Sequence, residues 1–143
     1  MINAKTRKVL FKSPIKNICG RRYDIFSDGI VVITHMGDHK EGHRLTLVDR
    51  EKLTVKITGT NEVFWRSFVE IKEGFIYAIA VVNGDFYLAK FNSELKLVSR
   101  SNVRISKNTF ISFYGNFIYI NRYDKQIMAL NKKDLSLLEL IKP

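Results

Sequence analysis

A chain of 143 residues, 45% of them hydrophobic, is long enough for one packed domain and too apolar to be disordered. Its formal net charge of +10 signals solubility and attraction for polyanions and leaves the fold open. Fifty-one residues are Val, Ile, Thr, Phe, Tyr or Trp and only five are Ala, a bias that favours strands over helices.

In chain order, the opening stretch "MINAKTRKVLFKSP" has a basic start but no apolar core of signal-peptide length, and it reads as the end of a strand-rich unit. The single cysteine, Cys19, rules out an internal disulfide and reads as a small, partly buried side chain. A first hairpin follows in "FSDGIVVITH" from Phe26, turning at Asp28-Gly29, and a second in "RLTLVDREKLTVKI", turning at Asp49 to Lys52. The same grammar returns in "IKEGFIYAIA" with its turn at Glu73-Gly74, and in "FYLAKFNSELKLVS" with its turn at Asn92 to Glu94. It returns once more in "FYGNFIYINR" around Gly115-Asn116 and in "IMALNKKDLSLLEL" around Asn131 to Asp134. None of these apolar runs approaches the roughly 18–20 residues of a membrane helix, so no transmembrane segment is expected.

The anchors Ile30, Phe75 and Phe117 are 45 and 42 residues apart. Four strands repeated at about 40–45 residues are the signature of a β-propeller blade. The expectation is an all-β chain forming a single repeat domain over 1–143. It comprises the end of a preceding blade at 1–14 and blades at 22–57, 63–99 and 108–141. A β-sandwich of hairpins is the alternative, although a sandwich has no reason to reuse the same turn chemistry at a fixed period. The opening "INAKTRKVLFKSP" matches the closing "LNKKDLSLLELIKP", which supports the partial blade at the start. Propellers close with about four to eight blades, so three and a fraction leave strand edges and an apolar face for something else to cover. The expected partner is a second copy of the chain, the rest of a larger propeller, or another protein.

The pattern of apolar residues around Asn or Asp in "IMALNKKDLSLLEL" and "YLAKFNSELKLV" resembles the repeats of quinoprotein-like and kelch-like propellers. The tryptophan docking signature of the former and the double glycine of the latter are missing. "HKEGHRLTLVDREKLTVK" with the blades after it also resembles the C-terminal region of a spirochaete antigen family, which implies a periplasmic or surface-associated place.

Two features point to function. The first is "THMGDHKEGHR", which holds all three histidines, His35, His39 and His43, with Asp38 and Glu41 between them. As a helix these histidines would share one side and suit zinc or copper, yet Gly37 and Gly42 each cost about 1 kcal/mol there and the flanks are β-patterned. As a loop, His35 and His43 face each other across the strand ends with His39 at the tip. That arrangement is a metal site with Asp38 or Glu41, or a solvated polar loop. The second feature is charge on the loop end where propellers bind, carried by Arg21, Arg22, Lys40, Arg44, Arg104, Lys107, Arg122 and Lys125. No serine or cysteine nucleophile stands in a recognisable motif, and no RNA-binding motif is present. The expectation is therefore a non-catalytic interaction module that presents a basic loop face to a protein or polyanion, with nucleic acid a minor alternative. The other reading is a metal-binding or enzymatic propeller built on the three histidines.

Overall fold

A computed structural model of the chain describes residues 2–26 and 29–141, with the backbone alone for Gly20 and Arg21. Alternating patterns with tight turns between them form twelve strands. They are β1 (Ile18–Phe26), β2 (Gly29–His35), β3 (His43–Asp49), β4 (Val55–Thr58), β5 (Glu70–Lys72), β6 (Phe75–Val82), β7 (Asp85–Phe91), β8 (Leu97–Arg100), β9 (Ser112–Tyr114), β10 (Phe117–Asn121), β11 (Ile127–Asn131) and β12 (Leu137–Ile141). Among the described residues there is no helix, and so none long and apolar enough to cross a membrane.

The strands make three antiparallel meanders, β1-β2-β3-β4, β5-β6-β7-β8 and β9-β10-β11-β12. Within each, the last pair of strands carries a register shift at the same place, after Leu47, Lys90 and Ala129. Such bulges increase the local twist, which a splayed outer edge requires.

The turns are built as their residues dictate. Glu73-Gly74 and Asn83-Gly84 both hold positive φ at two consecutive positions, the geometry that matches the right-handed twist of hairpin strands. Gly29 stands in β2, paired with Phe26, rather than within the first turn, and Asp28 lies outside the described residues.

Two apolar cores separate the three sheets. Val31, Ile33, Leu45 and Leu47 of the first sheet pack with Ile76, Ala78, Ala89 and Phe91 of the second. Tyr77, Ile79 and Leu88, on the other face of the second sheet, pack with Ile118, Ile120, Met128 and Leu130 of the third. The middle sheet is thus buried on both faces, and β1 lies against β5 at the inner edge. Three sheets stacked in chain order do not make a two-layer sandwich.

The segment before β1 carries a small hairpin of its own, with Ile2 bridged to Val9. Asn3 Oδ1 accepts from the amides of Lys5 and Thr6, and Arg7 donates to Asn3 O with φ 56. The turn at Asn131 to Leu135 has the same bond, from Leu135 N to Asn131 O, and the same left-handed residue, with φ 64. From there Ser13 Oγ donates to Leu53 O, and Asn17 Nδ2 donates to His35 O, tying the segment to both ends of the first sheet.

Candidate functional site

Because each sheet is a four-stranded meander, the β2–β3, β6–β7 and β10–β11 connections emerge at the same end as the connections between sheets. Residues 36–42, 59–69, 83–84, 101–111 and 122–126 therefore build one loop surface. The connections between sheets are firmly held. Val63 donates to His43 O in the first sheet and bridges Ala80 in the second, and Ile105 donates to Phe86 O and bridges Arg122.

The structure gives the basic residues distinct surroundings. Arg104 and Arg122 converge on the exposed ring of Tyr123, their guanidinium carbons 4.8 and 5.4 Å from its centroid. Arg104 also reaches Asp85 at 3.3 Å, and Arg122 is paired with Asp124, which holds that carboxyl below its ordinary range and the guanidinium above its own. Lys107 and Lys125 are exposed on the loops beside them. Arg22 lies in the irregular part of β1, over the Phe68 ring at 4.2 Å, and Phe68 in turn meets Phe110. Lys40 is exposed at the tip of the β2–β3 loop. Arg44 is half-buried in β3 and donates to His43 O at 2.9 Å. The Arg21 side chain lies outside the described residues. Sequence reasoning alone passes over Trp65 and Arg66, whose ring and guanidinium stack at 4.2 Å, and over Tyr87, which carries Arg100 at 5.0 Å. The signal for the first pair was the adjacency of aromatic and basic residues in "WR"; Tyr87 and Arg100 are 13 residues apart and carry no local signal.

The three histidines come together in a loop, as the glycines require. Gly37, Asp38 and His39 hold consecutive positive φ of 40, 51 and 66, and Lys40 N donates to Gly37 O. This left-handed turn folds His39 back over the ends of β2 and β3. Its Nδ1 lies 3.1 Å from His43 Nε2, and its ring stacks on His35 at 4.1 Å. His35 and His43 are direct cross-strand partners. Trp65 from the connection between sheets stacks on His43 at 6.5 Å. Asp38 and Glu41 do not join the cluster; Glu41 folds beside Gly37, where a Cβ would meet its carboxylate.

The residue that does join is Cys19. It pairs with Ile33 across the first sheet, and since alternate residues share a face, it lies in the row that continues to His35 and His43. The donor atoms of Cys19, His39 and His43 lie within 4.8 Å of one another. Burial pushes the Cys19 thiol up, so it is protonated when nothing is bound. Burial and the neighbouring His39 push His43 down, towards its neutral form.

No protein-family model matches the chain, and no curated protein matches it. Among solved structures, the crystal structure of BamB from Moraxella catarrhalis superposes with a TM-score of 0.63 and 11% identity, over 92% of this chain and 41% of the BamB chain. The chain is a partial β-propeller. Its three sheets are blades, with β1, β5 and β9 at the inner edge, and it spans about two-fifths of the length of that propeller protein. At such identity the likeness concerns fold alone. The comparisons give the spirochaete resemblance no support.

Proposed function

We propose that this partial propeller is a non-catalytic interaction module whose loop end binds an anionic partner surface. The observation that carries the reading is the set of guanidinium groups lying over exposed aromatic rings: Arg66 on Trp65, and Arg104 with Arg122 on Tyr123. Arg, Tyr and Trp are the residues that dominate binding energy at interfaces, because they combine rigid apolar area with directed hydrogen bonds. Lys40, Lys107 and Lys125 stand exposed on loops at the same end and add attraction at long range.

Binding to heparin, as a model polyanion, tests the reading. Arg104→Glu and Arg122→Glu are each expected to weaken it by about 5- to 30-fold, equivalent to roughly 1–2 kcal/mol, with a shallower dependence on salt. Affinity that ignores both reversals would place any anion binding elsewhere on the chain.

The same reading includes completion of the ring by a second copy. Among the described residues the third blade leaves one face without a neighbour, and that face is apolar and aromatic. Ile118, Ile120, Met128 and Leu130 point to the core, so Tyr114, Phe117, Tyr119, Ile127 and Ile141 point away from it. Tyr114 is 75% exposed and Ile127 47%.

A further inference from the structure

The loop end of the first blade carries a cluster that anion binding does not use. A thiol and an imidazole from two strands and a second imidazole from the loop at 36–42 come together, and each is a strong ligand for a borderline transition metal. We propose that Cys19, His39 and His43 form a zinc site with three protein ligands and a fourth position open to water.

The geometry is close to what a tetrahedral ion needs. Bonds of about 2.0–2.1 Å to nitrogen and 2.3 Å to sulfur place ligand nitrogens about 3.3 Å apart and a nitrogen and sulfur about 3.6 Å apart. His39 Nδ1 and His43 Nε2 are 3.1 Å apart, and Cys19 Sγ lies within 4.8 Å of a ring nitrogen of each histidine. Small side-chain rotations close the difference.

Two further observations point to a ligand. His35 Nδ1 is buried and has no hydrogen-bond partner, although its ring lies directly on His39. A water on the fourth position of the ion is the kind of partner that atom lacks. The loop itself is the other observation, since Asp38 and His39 both hold left-handed backbone, a conformation uncommon outside glycine. An extended turn would carry His39 outward; this one turns it onto the other two donors. On binding, Cys19 forms the sulfur–metal bond as a thiolate and its proton passes to solvent, while both histidines ligate as neutral imidazoles. Soft and imidazole donors exclude calcium and magnesium as the natural ion.

The test uses the full chain with zinc in competition with a chromogenic chelator, and with cobalt as a spectroscopic substitute. One equivalent is expected to bind, and the cobalt complex is expected to show the near-ultraviolet thiolate-to-metal charge-transfer band, lost in Cys19→Ser. Groups one step behind a ligand carry about 10- to 100-fold in affinity, so His39→Ala is expected to weaken zinc about 100-fold or more. His39 is exposed, so this variant leaves the core intact, and circular dichroism verifies the fold. Zinc affinity unchanged in folded His39→Ala, no stoichiometric binding, or a wild-type cobalt complex without the thiolate band would each overturn the proposal.

Discussion

Three leucines, Leu53, Leu95 and Leu135, hold the left-handed backbone with φ of 52, 60 and 64, a region that costs an L-residue on the order of 1–2 kcal/mol. Each closes the turn between the third and fourth strands of a blade, donating its amide to the carbonyl of Asp49, Asn92 or Asn131. The side-chain oxygens of those residues accept further amides of the turn, such as Lys52 at Asp49 and Lys96 at Asn92. Glycine would remove the strain, but it would also remove a buried side chain. Full burial of a leucine stabilises by about 1.5–3 kcal/mol, which exceeds the strain, and Leu95 and Leu135 are fully buried in the two cores. Leu95→Ala is therefore expected to cost about 2–5 kcal/mol in chemical denaturation, and Leu53→Ala, at a half-exposed site, clearly less. Equal losses at the two positions would show that burial of the side chain does not set the energy.

At the scale of elements, the connections between blades behave as parts of the sheets. Ser67 and Thr109, 42 residues apart, are both fully buried. Each hydroxyl accepts an amide from the next blade's second strand, from Ile79 and Asn121, and donates to the following carbonyl, that of Phe68 or Phe110. Thr109→Val keeps the shape but leaves the Asn121 amide buried without its acceptor, and a loss of about 1–3 kcal/mol is expected. Stability unchanged in that variant would mean that the connection is free to readjust. The strands and turns were legible in the sequence because alternation and turn chemistry act over a few residues. The match of the opening stretch to the closing one also reappears as a shared turn geometry at Asn3 to Arg7 and Asn131 to Leu135. The hydroxyl pair was present in "VFWRSF" and "ISKNTF" but hidden, since nothing local marks Ser67 or Thr109 as buried. The histidine loop was legible as a loop from its glycines. Its meeting with Cys19 was not, because strand pairing brings together residues about 20 positions apart and Cys19 alone reads as a small core residue. The basic residues were visible in the sequence, whereas their aromatic partners depend on how neighbouring loops lie.

For the whole molecule, the two end blades differ. The outer face of the first blade is crossed by the segment tied at Ser13 and Asn17, and there Thr34, Thr46 and Val48 are buried. Those threonines pair with each other through a buried hydroxyl contact of 2.7 Å. The outer face of the third blade has no such cover among the described residues, and Tyr114, Phe117, Ile127 and Ile141 are all exposed on it. An aromatic and aliphatic sheet face of this kind attracts a packing partner, because burying it removes apolar area from water at roughly 25 cal/mol per Å². Light scattering over a range of concentrations tests this most directly. The wild-type chain is expected to reach the mass of two or more chains, while the paired variant Phe117→Lys and Ile127→Lys remains folded at the mass of one. A wild-type chain that stays at the mass of one across the whole range would contradict it.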